Sequence, residues 1–159
     1  MATPNILNIN VGVLGHVDSG KTSLASAIST ITSTAGADKH PESQRRGITL
    51  DLGFSSFSTE VPEHLQRTDG GPPYDSLQYT CVDCPGHASL IRTIMGGVQT
   101  IDVMMLVLDI NKGIQTQTAE CIVLAEITNR PTVVVLNKVD LLPEDTREKK
   151  VKAVMKKLS

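Results

Sequence analysis

Short apolar runs alternate with segments of helical periodicity along this chain of 159 residues. Apolar runs and period-two alternation predict strands at residues 6–14, 50–59, 77–83, 102–109 and 132–137. Apolar residues at helical spacing predict helices at residues 21–33, 88–99, 116–128 and 144–158. This alternation is typical of an α/β fold, in which a mostly parallel sheet carries helices on both faces.

The apolar pattern also places individual elements in the sheet. Residues 104–108 and 132–136 are continuous apolar runs, which predict strands covered on both faces. Residues 50–61 alternate and suit a strand near the sheet edge, and residues 62–76 predict a loop or hairpin tip. The last predicted helix has an apolar stripe of Val151, Val154, Met155 and Leu158. Its basic opposite face is interpreted as solvated, in preference to a nucleic-acid patch.

Composition narrows the class of protein. The length suits one domain, and 40% hydrophobic with 20% charged residues is ordinary for a soluble globular protein. A net charge of −2 gives no general argument for nucleic-acid or membrane binding, and no apolar run is long enough to span a bilayer. The first strand leaves no room for a targeting peptide.

Three cysteines, an odd number, favour a reducing compartment, so we expect a cytoplasmic protein. Cys81 and Cys84 lack a second ligand pair at zinc spacing, so packing is preferred over metal binding.

A phosphate-binding loop is predicted between the first strand and the first helix. Residues 15–22 read Gly-His-Val-Asp-Ser-Gly-Lys-Thr, a complete G-x-x-x-x-G-K-[ST] pattern, and the flanking elements disfavour a chance turn. Backbone N–H groups at the helix N-terminus bind phosphate oxygens in such loops. We expect Lys21 to reach the β- and γ-phosphates and the Thr22 hydroxyl to ligate Mg²⁺. The residues predicted to bind phosphate are Asp18, Ser19, Gly20, Lys21 and Thr22.

A second motif, Asn137-Lys138-Val139-Asp140, follows a predicted strand and indicates the base. An Asp140 carboxylate at a guanine edge accepts hydrogen bonds from N1–H and from the exocyclic amine. Adenine offers neither donor, so the carboxylate would lose both partners. Asn137 is expected to contact the base from the side, and the Lys138 stem to lie over its face. Together with the phosphate loop, this motif favours a guanine nucleotide.

Two further segments predict the catalytic machinery. In Asp83-Cys84-Pro85-Gly86-His87, Asp83 can hold the Mg²⁺ shell and the Gly86 N–H can bond the γ-phosphate. His87 stands where a side chain could orient the attacking water, although an isolated histidine is more often structural. In Arg46-Gly47-Ile48-Thr49, the Thr49 hydroxyl and carbonyl could reach Mg²⁺ and the γ-phosphate as a switch. A simple solvated loop is the alternative for that segment.

These four motifs, in the order that they have along the chain, resemble those of the translational GTPases of the elongation factor Tu class. Within that class the chain is most similar to the selenocysteine-specific elongation factors of eukaryotic type. The resemblance runs from about residue 8 to residue 143 and is most specific at residues 47–54 and 86–94. Ser19, where elongation factor Tu has a histidine, agrees with that subgroup.

The resemblance implies a tRNA carrier. Members of the subgroup bind GTP with Mg²⁺ and deliver selenocysteinyl-tRNA to ribosomes at UGA codons, with the help of a selenocysteine insertion element-binding protein. It implies catalytic roles for His87, Lys21 and Thr49, with hydrolysis triggered when the ribosome acts on His87. It also implies an apolar gate formed by Val17 and Ile48, and a monovalent cation near Asp18.

The chain departs from this class at its end. Residues 1–159 are expected to be an incomplete GTP-binding domain without its last strand, its last helix and the downstream β-barrel domains. We therefore expect weakened nucleotide affinity and an uncovered sheet edge. Three alternatives stay open: a nucleotide-binding fragment without turnover, the GTP-binding domain of another tRNA carrier, and an ATP-using enzyme. Asn137 and Asp140 disfavour the last of these.

Overall fold

The strands and helices lie close to where the apolar pattern predicts them. The structure, a computed structural model, describes residues 4–29, 53–83 and 101–158. The elements in these ranges are β1 (Ile6–Leu14), α1 (Lys21–Ile28), β2 (Gly53–Thr59), β3 (Ser76–Asp83), β4 (Val103–Asp109), α2 (Thr116–Thr128), β5 (Thr132–Asn137) and α3 (Glu144–Leu158). Short 3-10 turns lie at Glu63–Leu65 and Val139–Leu141.

The strands form one sheet in the order β2-β3-β1-β4-β5. β1 pairs in parallel with β3 and β4, β4 pairs in parallel with β5, and β2 runs antiparallel to β3. The register aligns Val13 with Asp83 and Asp109 with Asn137. The carboxyl ends of the four parallel strands therefore meet at one edge of the sheet, where ligands bind in open α/β folds. The predicted mostly parallel α/β fold is confirmed.

Two apolar clusters, one on each face of β4, explain its continuous apolar sequence. Cys121 and Leu124 of α2 pack in one cluster, and Leu24 and Ile28 of α1 pack against the other. The β4 residues in the first cluster are Met104, Leu106 and Leu108, and those in the second are Met105 and Val107. Because successive side chains of a strand point to opposite faces, both sets must be apolar.

β5 differs from its prediction. Its first residues are exposed, with Val133 at 53% and Val134 at 41%, and only Val135 and Leu136 pack against the clusters. The expectation that residues 132–136 are covered on both faces is wrong for the first half of the run. In the described part of the chain, β5 has one strand neighbour, β4.

Two helices also differ from their predictions. α1 ends at Ile28, short of residue 33, because the backbone of Ser29 is extended. The Ser29 hydroxyl donates to the Ala25 carbonyl at 2.6 Å. Residues 30–33 and the predicted helix at 88–99 lie outside the described residues. α3 buries Val154 beside Ile110 and Leu142, but Met155 is 58% exposed and does not belong to the apolar stripe.

The edge and hairpin predictions are confirmed. β2 is the terminal strand of the described sheet and forms a hairpin with β3 across residues 60–75. Cys81 and Cys121 are buried in the core, and burial raises the pKa of both thiols. Cys84 lies outside the described residues. The described residues contain no cluster of metal-ligating side chains and no helix long and apolar enough to cross a membrane.

Candidate nucleotide site

The phosphate loop between β1 and α1 adopts a backbone that requires glycine at two positions. Gly15 has φ +148°, and a Cβ there would lie 2.2 Å from the Val107 carbonyl oxygen. Gly20 has φ +92°, and a Cβ there would lie 2.2 Å from Asn137 Nδ2. The loop thus passes against both β4 and the last residue of β5 with no room for a side chain. Asp18 also has a positive φ, 62°, which a non-glycine residue adopts infrequently.

Lys21 closes the phosphate loop on itself. It is the first residue of α1, and 6% of its surface is exposed. Its Nζ donates to the His16 carbonyl at 3.0 Å. The Ser19 N–H donates to the same carbonyl at 3.2 Å. The ammonium therefore lies inside the loop, at the start of a helix whose first N–H groups have no partner within the helix. This arrangement fits a phosphate group, since cation and helix N-terminus both favour an anion.

Two of the predicted Mg²⁺ ligands meet. Thr22 lies in the first turn of α1 and Asp83 is the last residue of β3, and Thr22 Oγ1 donates to Asp83 Oδ2 at 2.5 Å. Asp83 is buried, with 5% of its surface exposed. A hydroxyl and a carboxylate are the hard oxygen ligands that Mg²⁺ prefers, so the residues fit the ion. Thr49, the third predicted ligand, lies outside the described residues, as do Gly86 and His87.

Asn137 and Lys138 connect the base-recognition motif to the phosphate loop. Asn137 Nδ2 donates to the Ser19 carbonyl at 2.9 Å, and its Oδ1 accepts the Lys138 N–H at 2.9 Å. Lys138 Nζ donates to the Asp18 carbonyl. Asp140 lies in the following 3-10 turn and is exposed. Both polar groups of the Asn137 amide are thus used within the protein, and the exposed Asp140 carboxylate is open to a base.

Asp109 is a site residue that the sequence interpretation missed. It ends β4 and is 3% exposed, and its Oδ2 lies 2.9 Å from Lys138 Nζ. Burial opposes ionisation of this carboxyl, but hydrogen bonds from Lys138 and from the Asn111 N–H outweigh it, so its pKa lies below the usual value. Its position supplied a signal, because Asp83, Asp109 and Asn137 each end a parallel strand at the ligand-binding edge.

The first turn of α2 holds the other side of the phosphate loop. Gln117 Oε1 accepts the Val17 N–H at 3.1 Å, and Thr118 Oγ1 lies 3.4 Å from His16 Nδ1. His16 is 3% exposed. Burial lowers its pKa, and the positive charge of Lys112 lowers it further, so both favour the neutral imidazole.

Two buried polar atoms of the phosphate loop have no hydrogen-bond partner within the described residues. They are His16 Nε2 and Ser19 Oγ. Ser19 is fully buried, and an unsatisfied buried hydroxyl costs about 1–3 kcal/mol. The loop therefore holds its shape through backbone and helix contacts in spite of these two atoms.

Comparison with protein families identifies the domain type. The model of the elongation factor Tu GTP binding domain matches residues 7–159. The chain is 57% identical over 152 residues to the selenocysteine-specific elongation factor of Mus musculus, covering 96% of this chain and 25% of that protein. It is 43% identical over 151 residues to the selenocysteine-specific elongation factor of Methanocaldococcus jannaschii, covering 95% and 29%. It is 34% identical over 146 residues to translation initiation factor 2 subunit gamma of Thermococcus kodakarensis, covering 86% and 35%.

Solved structures agree with these relatives. A bacterial selenocysteine-specific elongation factor, EF-Sec, superposes with a TM-score of 0.70 at 27% identity, over 96% of this chain and 24% of that chain. Elongation factor SelB from Methanococcus maripaludis, in complex with the GTP analogue GPPNHP, superposes with a TM-score of 0.65 at 28% identity, over 98% and 27%. The chain spans about a quarter to a third of the length of the curated relatives that it matches.

Proposed function

This chain belongs to the family of elongation factor Tu GTP-binding domains, and we propose that it is the GTP-hydrolysing switch domain of a factor that delivers selenocysteinyl-tRNA to the ribosome at UGA codons. The observation that carries the selenocysteine branch is the 57% identity to the mouse factor over 96% of this chain. The match covers 25% of that relative, so tRNA, ribosome and selenocysteine insertion element-binding protein are proposed as partners of the whole protein.

The described residues support the nucleotide part of this proposal. Lys21 lies buried in the phosphate loop, where its ammonium can meet the β- and γ-phosphates once it leaves the His16 carbonyl. Thr22 and Asp83 lie together and would hold Mg²⁺, which neutralises charge on the phosphates during transfer. His87 and Thr49 are proposed to orient the attacking water and to complete the Mg²⁺ site, respectively.

A monovalent cation near Asp18 is a further part of the proposal. The Asp18 side chain is 62% exposed, and its Oδ2 lies 3.9 Å from Lys112 Nζ. A carboxylate at that exposed position beside the phosphate loop is a suitable oxygen ligand. The nearby ammonium competes for the same charge, so we expect any cation there to bind weakly.

Turnover distinguishes a GTPase from a fragment that only binds nucleotide. Single-turnover hydrolysis of GTP by the 159-residue chain is expected on the order of 10⁻⁴ to 10⁻² per second without an activator. His87→Ala is expected to slow it about tenfold or more, because general acid–base and water-positioning groups contribute at least that much. His64→Ala alters an exposed histidine in the hairpin and serves as the matched control. Identical rates for the wild type and His87→Ala would remove a role of His87 in the unstimulated reaction.

The tRNA preference tests the selenocysteine branch. Protein expressed from the whole reading frame that encodes this chain is expected to bind selenocysteinyl-tRNA more tightly than seryl-tRNA when GTP is present. The comparison is made by protection of the aminoacyl ester from hydrolysis, with GDP as the control nucleotide. Another tRNA carrier is the second candidate, since the archaeal initiation factor 2 subunit gamma is 34% identical. Equal affinity for the two tRNAs, or preference for initiator tRNA, would favour that candidate.

A further inference from the structure

We propose that Asp109 is a positioning residue of the guanine site, holding Lys138 so that the turn carrying Asp140 stays locked to the phosphate loop. The inference rests on the proposed guanine-nucleotide function and adds to it a residue that contacts neither base nor phosphate. It also predicts how that residue controls selectivity for the base.

The geometry joins three segments through one ammonium group. Lys138 Nζ lies 2.9 Å from Asp109 Oδ2 and also donates to the Asp18 carbonyl of the phosphate loop. Asp109 pairs in register with Asn137, the residue before Lys138. The carboxylate therefore stands beside the base-recognition turn and directs its lysine toward the phosphate loop.

Burial makes this contact more specific than a surface ion pair. Asp109 is 3% exposed and the Lys138 side chain is 29% exposed, so solvent screens the pair less than it screens exposed charges. In the described region, the Lys138 ammonium has one carboxylate within salt-bridge distance, that of Asp109. Removing one member of such a pair leaves the other charge buried without compensation.

The backbone of Lys138 shows why a fixed partner is needed. Lys138 has φ 61°, in the left-handed region that a lysine adopts infrequently, and it begins the 3-10 turn at Val139–Leu141. Asp140 lies inside that turn, so its direction depends on the conformation of Lys138. A side chain anchored at both Asp109 and the Asp18 carbonyl keeps this conformation populated.

Asp109 has a second contact that offers a purely structural role. Its Oδ1 accepts the Asn111 N–H at 2.8 Å, which stabilises the turn that follows β4. If this were its whole contribution, substitution would loosen that turn independently of Lys138. The positioning role predicts that the effects of changing Asp109 and Lys138 are coupled, and the purely structural role predicts that they add independently.

A double-mutant cycle on the 159-residue chain separates them. Asp109→Asn keeps an oxygen for the Asn111 N–H and removes the charge, and Lys138→Met removes the ammonium with little change in length. Each single variant is expected to release fluorescent GDP about tenfold faster or more, because each leaves a buried charge or turn without its partner. The double variant is expected to release GDP no faster than Lys138→Met alone.

Base selectivity is the readout that a structural role would not move. Inosine diphosphate lacks the exocyclic amine that Asp140 is proposed to bind, so the ratio of GDP to inosine diphosphate affinity reports how Asp140 is placed. Asp109→Asn is expected to lower this ratio severalfold. Asp102→Asn is the matched control at the other end of β4, where the carboxylate accepts the Asn10 N–H at 2.8 Å. It is expected to leave the release rate and the ratio unchanged.

Folding of the variants is checked by circular dichroism. If Asp109→Asn does not fold, Asp109→Glu keeps the charge on a longer stem and is expected to fold with a partly reduced ratio. Additive effects in the cycle, or an unchanged ratio in whichever Asp109 variant folds, would overturn the positioning role and leave the proposed function intact. A wild-type chain that binds GDP no better than ADP would instead overturn the proposed function.

Discussion

At the residue scale, the base-recognition motif makes contacts within the protein that the sequence interpretation did not include. Asn137 Nδ2 donates to the Ser19 carbonyl and Lys138 Nζ donates to the Asp18 carbonyl, while the contacts of both residues with the base stay predictions. Asp140 is exposed in its 3-10 turn. We therefore expect discrimination between bases to depend on Asp140, while Asn137 and Lys138 hold the turn against the phosphate loop.

Asp140→Asn is expected to lower the affinity for GDP about 100-fold or more. The amide replaces one carboxylate acceptor with an N–H₂ donor that faces the donors of guanine, and mismatched buried polar groups carry penalties of this size. The same amide can donate to the 2-carbonyl of xanthine, so affinity for xanthosine diphosphate is expected to rise. Equilibrium titration with fluorescent nucleotides measures both changes.

Asp145→Asn provides the matched control for this experiment. Asp145 is an exposed carboxylate in the first turn of α3, five residues further along the chain by its number, and it has the same charge. It is expected to leave both affinities unchanged. A GDP affinity that falls equally in the two variants would show that general charge, and not the position of Asp140, causes the loss.

At the element scale, apolar periodicity predicted most of the fold. The predicted bounds at residues 116–128 and 144–158 are those of α2 and α3. The pattern could not predict the extended backbone of Ser29, at which α1 ends. Nor could it separate buried Val154 from exposed Met155, neighbours whose burial depends on where Ile110 and Leu142 lie.

The candidate site was predictable where a motif fixes it. Two motifs predict that Lys21, Thr22 and Asp83 lie at one edge of the sheet, where Thr22 and Asp83 are in contact, and the roles of these residues stay predictions. No motif includes Asp109, and its one signal in the sequence is its place at the end of a predicted strand. Asp109 becomes a site residue only through the β4–β5 register, which brings it level with Asn137. Such a pairing is a property of the tertiary structure and is not written in either segment alone.

At the scale of the whole molecule, the described sheet ends in a partly exposed apolar strand. Val133 and Val134 of β5 are 53% and 41% exposed, and β5 pairs with no strand other than β4 among the described residues. Exposed strand edges with apolar side chains favour pairing between chains. The expected uncovered sheet edge therefore remains a prediction, and it has a measurable consequence.

The isolated 159-residue chain is expected to self-associate as its concentration rises, and Val134→Lys is expected to weaken this association. A charge on an edge strand opposes pairing with a second strand, because the ammonium would lose its hydration there. Sedimentation velocity over a range of concentrations measures the change. Met155→Lys, at an exposed position on α3, is the control for added charge alone. A chain that stays monomeric, or equal effects of the two variants, would contradict the prediction.

The sheet order has a consequence for how the chain acquires its site during synthesis. β1 is central, yet its partners β3 and β4 come from much later in the chain. The hydrogen bond from Asn137 to Ser19 joins two residues that are 118 positions apart. A ribosome-bound nascent chain that has not reached Asn137 carries the phosphate loop without the segment that braces it. Because long-range pairing of this kind forms late, the growing chain is expected to capture nucleotide only near the end of this domain's translation.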